Sequence, residues 1–379
     1  MRNYIYRIGA SAKLYGFDDP ILEVPILGQK LGSYQAKACT QWGFELIDVA
    51  DQNAIPVSEE PYFCFDAKMV FTTKFLSAAL DYANTKISEN IQFGLEGHAS
   101  AQQHALPVGS QEGPLLFPFY YVGNSKQKAF EEKLLSGKEY EWGIEMPPQV
   151  MPGGRYALNQ NPVFAALLLS PFHLLGANMA LNLNRGLSLQ EKLPNWLRQR
   201  ISKPFTKLTS MGLRLMNQKG KNCRIHPSAV VEGCVLGDNV TVGANAVLRM
   251  SVIGSGSFIA DTAVVSFSVI GENNFVSTGN HLVNSMTYQD VFTIHGPYQY
   301  SIFGKNAAVF ATINSDIRLD LKTIRIPTAI GVIDSKQIFL GVAYGHRCKI
   351  GGSNIIAAGR LVPNDYVLNP PDFITLKFD

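Results

Sequence analysis

The chain has 379 residues, 46% hydrophobic and 17% charged, which suits two or three packed domains and excludes a disordered chain. Its 33 basic and 30 acidic residues leave a net charge of +3, too balanced for a general nucleic-acid binder. Five cysteines (Cys39, Cys64, Cys223, Cys234, Cys348) contain no CxxC pair, which excludes a disulfide scaffold or cysteine zinc cluster and fits a reducing compartment. The opening MRNYIYRIGA lacks an apolar core of signal-peptide length, so a cytoplasmic protein is expected.

Residues 1–155 alternate strand and helix patterns. Strands are expected at Asn3 to Gly9, Phe44 to Ala50 and Pro61 to Phe71, and helices at Gly32 to Gly43 and Thr72 to Asn84. Such alternation predicts a largely parallel, doubly wound sheet. The motifs IYRIGASAKLYG, PILEVPILGQKLGSYQAKACTQWGFELIDV and FCFDAKMVFTTKFLSAAL follow in that order. This order resembles the sugar-1-phosphate nucleotidyltransferases, in which a strand, a glycine-rich loop and a proline-rich segment lead into a helix. The resemblance places Gly9 to Leu14 on the phosphate-cradling loop and Asp66 on the aspartate that holds the catalytic metal. It implies nucleotide and magnesium at Gly9, Lys13 and Asp66. The loop departs from the pattern: Ser11 and Ala12 stand for Gly-Thr, Lys13 stands for arginine, and Ile21 follows Pro20 where a lysine would come. A phosphate loop needs backbone N–H groups open to the anion. The expectation is therefore a degenerate domain that binds or packs, with Asp66 making turn hydrogen bonds. His98 and His104, in GLEGHASAQQH, read as loop residues.

Residues 156–222 form the expected helical, basic linker. Phe164 to Leu183 is long enough to cross a bilayer but carries Ser170, Pro171, His173, Asn178 and Asn182, so a buried or interfacial helix is expected. Arg185 to Arg224 holds ten basic residues and one acid, Glu191. Its apolar stripe (Leu193, Trp196, Leu197, Ile201, Phe205, Leu208, Met211) suits a packed connector, with an anionic membrane surface or polyanion as the alternative partner.

From residue 223 onward the sequence repeats. VLGDNVTVGANAVLRMS, VIGSGSFIADTAVVSFS and VIGENNFVSTGNHLVNS are consecutive blocks of 17 residues. Leu236, Ile253 and Ile270 align, as do Val242, Ile259 and Val276. An apolar residue at about every sixth position, followed by a turn former, describes short strands joined by tight corners, three to a coil. The pattern resembles the hexapeptide-repeat family, whose fold is a left-handed parallel β-helix. Two loop excursions are expected, at Asn284 to Ser301 and at about Ile313 to Gln337, with the beat resuming through Tyr344, Ile350, Ile356 and Val362. The fold class is thus α/β plus β: a nucleotidyltransferase-like domain, a helical linker and a left-handed β-helix.

Hexapeptide acyltransferases, which the C-terminal half resembles, use a histidine to deprotonate an acceptor amine or hydroxyl. The resemblance implies an acyl-CoA or acyl-carrier donor and a homo-oligomer, with a trimer favoured. His295, expected on a projecting loop beside Tyr298 and Tyr300, is the first candidate base and His346 the second. His281, Asn284, Tyr288, Tyr298 and Tyr300 are candidate substrate-binding residues. The alternatives are nucleotidyl transfer to a sugar phosphate by the N-terminal domain, a non-catalytic assembly or ligand-sensing protein, and a histidine-metal enzyme of the β-helical carbonic anhydrase type. No metal ligand set is assigned, because the histidine spacings lack that family's pattern.

Overall fold

Alternation in YIYRI sends Ile5 and Tyr6 to opposite faces of a sheet, and both faces are visible in the computed structural model. The structure describes residues 4–56, 60–106, 113–123, 129–149, 151, 153–191 and 210–370. The chain divides into two units, Met1–Ala180 and Leu181–Asp379.

The first unit runs β1 (Tyr4–Ile8), β2 (Pro25–Ile26), β3 (Gln29–Lys30), α1 (Leu31–Gln41), β4 (Glu45–Val49), β5 (Tyr62–Asp66), β6 (Met69–Phe71), α2 (Thr73–Thr85) and β7 (Ile91–Leu95). It continues with α3 (Ala99–His104), β8 (Leu115–Val122), β9 (Glu131–Leu135), β10 (Tyr140–Glu145), β11 (Arg155–Gln160), β12 (Ala165–Leu167) and the start of α4 (Pro171–Glu191). The main sheet has the order β4-β1-β5-β8-β7-β9, with β8 antiparallel to its neighbours β5 and β7. One face carries the core: Ile5, Phe63, Phe65, Phe93 and Phe119 pack with Ala38 and Cys39 of α1 and Phe75, Leu76 and Ala79 of α2. Thr72 starts α2 by accepting the Phe75 N–H at 3.1 Å.

Two expectations need correction. The strand expected over Pro61 to Phe71 breaks at Asp66, where a turn separates β5 from β6. The sheet is also not doubly wound among the described residues, because α1 and α2 share one core. The connection that could place a helix on the other face, Ala50 to Pro61, is short, and its described residues form a 3-10 turn at Gln52–Ala54. That face holds Tyr6, Ile55 and Cys64, with half-buried Tyr4, Tyr62 and Tyr120 around them.

A polar network, buried at Arg7 and Gln35 and open at Asp48, pins the strand ends. The Arg7 guanidinium donates to both Asp48 carboxylate oxygens, at 2.6 and 2.8 Å, and to Gln35 Oε1 at 2.9 Å. The Gln35 amide in turn donates to the Ala67 and Met69 carbonyls at 3.0 and 2.7 Å.

His104 is not a loop residue. It ends α3, fully buried, with Nε2 3.0 Å from the Asn159 carbonyl. His173 sits in α4 with Nδ1 2.8 Å from Ser170 Oγ. Burial pushes both imidazoles down to about 4. An unfolded histidine titrates near about 6.5, so between these values only the unfolded chain takes up protons and stability rises with pH. Urea unfolding of the first unit is expected to show full stability above about pH 6.5, then a loss towards pH 4 of up to roughly 3 kcal/mol per histidine. A flat profile in wild type, or an unchanged slope in His104→Gln, would contradict this.

No helix among the described residues is long and apolar enough to cross a membrane. The polar groups of Phe164 to Leu183 are bonded instead: the Asn178 amide donates to the Pro25 carbonyl and its oxygen accepts the Leu27 N–H, at 3.0 and 2.8 Å.

The second unit is a parallel β-helix of three faces, and its core comes from the aligned positions of the repeat. Leu236, Ile253 and Ile270 stack on the first face, Val242, Ile259 and Val276 on the second, Val231, Leu248, Val265 and Leu282 on the third. Asn239, Asn245 and Asn273 occupy corners at φ 57°, 56° and 53°, the left-handed region that asparagine tolerates. A buried ladder of Ser251, Ser268, Ser285 and Ser301 runs along one corner, each serine N–H after the first donating to the hydroxyl of the coil before at 3.1–3.2 Å.

The first expected excursion does not occur. Residues 284–301 continue the helix as its fifth coil, with strands Met286–Thr287, Phe292–Ile294 and Tyr298–Gln299 paired in parallel to the coils on both sides or on one. The phase changes because the corner His295–Gly296–Pro297 is one residue short: Phe275 pairs with Phe292, 17 residues on, whereas Leu282 pairs with Tyr298, 16 on. The later excursion is present. The chain leaves after the strand Ile313–Ser315, forms a hairpin of Arg325–Thr328 and Gly331–Asp334, and rejoins at Ala343–Tyr344.

Of the basic linker, residues 192–209 lie outside the described residues, and with them most of its apolar stripe. Arg185, the first of the ten basic residues, is largely buried and donates to the Gly233 carbonyl at 2.9 Å. Asn182 donates to the Met250 carbonyl at 2.7 Å.

Candidate functional site

The short corner of the fifth coil anchors the backbone on both sides of His295. Ile294, just before His295, has its carbonyl held twice, by the Ala311 N–H at 2.9 Å and the Tyr298 hydroxyl at 3.2 Å. Gly296, just after, donates its N–H to Asn280 Oδ1 at 3.0 Å. A Cβ on Gly296 would lie 2.4 Å from both that oxygen and the Tyr298 ring, so no larger residue fits. Between these anchors His295 has φ 52° and an exposed side chain. His281 follows Asn280 directly and is exposed on the neighbouring coil, so the bond from the Gly296 N–H to the Asn280 side chain links the residues next to the two histidines.

Leading up to this corner is an outward ladder of aromatic rings. Phe258 and Phe275 stack at 5.3 Å, Phe275 and Phe292 meet at 5.0 Å, and Phe292 and Phe310 at 5.6 Å. Phe258 is 40% exposed and Phe275 38%. The signal was in the repeat, since Phe258, Phe275 and Phe292 are spaced by 17 residues.

The other candidates are distributed differently. His346 is 5% exposed, at a corner of the seventh coil. Its Nδ1 accepts the Lys305 N–H at 2.7 Å, its own N–H donates to Asn364 Oδ1 at 2.7 Å, and its ring lies 5.1 Å from Tyr288. Tyr288 is buried. Tyr298 is a core residue, and burial raises its phenol pKa. Tyr298 and Tyr300 are therefore not on a projecting loop: Tyr300 forms the following corner, half-buried against Phe339, and Asn284 is a buried corner residue at φ 46°. The structure brings Tyr288 and His346 into ring contact, and places His281 and His295 on adjacent coils, each next to one partner of the Asn280–Gly296 hydrogen bond. Among the described residues no group of three or more His, Cys, Asp or Glu could hold a metal ion.

In the first unit, Gly9 and Asp66 do come close in topology. Ile8 pairs with Asp66 on parallel strands β1 and β5, so Gly9 follows at the same end of the sheet. Asp66 Oδ1 accepts the Lys68 N–H at 2.8 Å. Lys13 is exposed. The loop spends N–H groups on itself: Ala12 donates to Gly9 O at 3.0 Å and Leu14 to Asp19 O at 2.9 Å.

A family model described as bacterial transferase hexapeptide (six repeats) matches residues 220–249, within the first two coils. No curated protein matches the chain. Over those residues the second unit is similar to that family, and its stacked parallel strands fit the β-helix that the repeat implies.

Proposed function

We propose that the second unit is a small-molecule transferase that moves an acyl group from a thioester to an amine or hydroxyl, with His295 as general base. The observation that carries this reading is an exposed histidine side chain on a backbone corner anchored at both flanking residues of a hexapeptide-repeat-like helix. In the step, His295 takes the proton of the acceptor, the acceptor heteroatom bonds to the thioester carbonyl carbon, and the thiolate leaves and takes up the proton. Fixing the donor and acceptor beside a rigid corner supplies the orientation part of the rate. The adjacent phenylalanine ladder supports a homo-oligomer, with a trimer favoured, because exposed stacked rings mark contact surfaces. The experiment is a thiol-release assay of the full chain with acetyl-CoA and a panel of amino and hydroxy sugars. Acceptor-dependent release supports the reading; release equal to the buffer rate with every acceptor rejects it.

A second reading belongs to the first unit. Gly9 and Asp66 end adjacent parallel strands where the strand order turns, the place at which open α/β sheets take ligands. Asp66 offers one carboxylate, so magnesium there would draw its other oxygens from substrate phosphates and water. On this reading a millimolar nucleoside triphosphate raises the thermal midpoint only when magnesium is present, and Asp66→Asn removes the shift. No shift at millimolar ligand would leave the unit without a nucleotide role.

A further inference from the structure

The excursion and the seventh coil enclose a cleft of about 950 Å³, separate from the histidine corner. Gly359, at φ 70°, is where they meet: a Cβ there would lie 2.5 Å from Ile324 Cγ2 and 2.6 Å from the Arg325 carbonyl. The excursion is thus seated on the coil, with Arg325 brought next to the corner that carries Arg360. Arg325, Arg360 and Lys322 line the cleft, all exposed, and none makes an ion pair among the described residues.

The carboxylates of the cleft are already engaged. Asp320 accepts from the Arg318 guanidinium at 2.8 Å, a bond that holds its carboxyl down to about 2. Asp334 stands opposite Arg325 in the hairpin register, but its oxygens take the Thr323 hydroxyl and the Lys336 N–H, each at 2.8 Å. The lining thus sets Arg318, Lys322, Arg325 and Arg360 against Asp320 and Asp334, a net charge of +2, and the three cations outside the Arg318–Asp320 pair are open to an anionic ligand. Guanidinium groups suit phosphate oxygens in particular.

The remaining wall is apolar. Leu319 is 70% exposed, Val332 58% and Leu321 43%, all facing the same cleft. Leu321 is held at φ 57°, a left-handed conformation unusual for leucine, by its N–H bond to the Arg318 carbonyl at 3.0 Å.

We infer that this cleft binds an organic phosphate ester, its phosphate on Lys322, Arg325 and Arg360 and its apolar body on Leu319, Leu321 and Val332. The site does not rest on the transfer reading.

The test is calorimetric titration of the full chain with inorganic phosphate and with hexyl phosphate. Hexyl phosphate is expected to bind about tenfold more tightly, the gain from burying roughly two methylenes. The double variant Arg325→Gln/Arg360→Gln should weaken both probes at least about tenfold. Leu319→Asn should leave inorganic phosphate unchanged and remove the hexyl advantage. These positions are exposed, and an unchanged urea midpoint confirms folding. Sedimentation with phosphatidic acid vesicles, lost in the double variant, would assign the ester to a lipid headgroup; no sedimentation alongside hexyl phosphate binding assigns it to a soluble ester. Equal binding by wild type and the double variant, or no binding of either probe at millimolar concentration, overturns the inference.

Discussion

Replacing His295 by asparagine is expected to slow thiol release about 10²- to 10⁴-fold, the usual range for loss of a general base. Asparagine is the informative substitution because His295 lies at φ 52°, where alanine would add backbone strain and asparagine adds little. The anchors at Ile294 and Gly296 are peptide groups and stay in place, so the free energy of unfolding in urea should change by less than about 0.5 kcal/mol. His281→Asn, on the next coil, should change the rate only a few-fold. His346→Ala should behave in the opposite way: it removes a buried ring and the acceptor of the Lys305 N–H and lowers stability by about 1–3 kcal/mol, with normal turnover per folded molecule. If His346→Ala abolishes turnover without destabilising the chain, the base has been misassigned.

The second large effect lies in the core of the fifth to seventh coils. Phe303 is fully buried, 5.3 Å from Tyr298 in an edge-to-face contact and 4.9 Å from Tyr344 in a stacked one. Phe303→Ala removes most of a ring volume from a site that rigid coils cannot collapse, so a loss of about 3–5 kcal/mol is expected. Tyr344→Phe keeps the ring but strips the hydroxyl that donates to Asn314 Oδ1 at 2.6 Å, leaving a buried acceptor unpaired at a cost of about 1–3 kcal/mol. Urea titration of the two variants checks both. A Phe303→Ala midpoint within error of wild type would show that these coils are not packed as described.

The coils of the second unit were legible because their inward positions are aliphatic and 17 residues apart, as at Leu236, Ile253 and Ile270. The fifth coil was not, for two physical reasons. Its inward side chains are Thr287, Thr293 and Tyr298, which do not read as a hydrophobic beat, and its short corner drops one residue from the period. The same corner explains why His295 was named as a candidate from a mistaken premise: it is exposed because it turns a coil, not because it projects on a loop. His346 follows Tyr344 in the restarted beat, and sequence alone does not show that its ring nitrogen closes a corner from within. In the first unit the pattern of strands and helices was visible, but which face each helix covers depends on the sheet order, and that comes from long-range pairing. The phosphate-ester cleft left no periodic trace, since Lys322 and Arg325 come from the excursion and Arg360 from a coil corner.

The most direct check on the transfer site is carbethoxylation by diethyl pyrocarbonate, with modified residues quantified by peptide mass spectrometry as thiol release decays. The exposed imidazole of His295 should be modified well before the buried His346, and activity should fall in step with His295 modification and not with that of His281. Full activity in protein whose His295 is completely modified, or loss that follows His346 instead, would contradict the account.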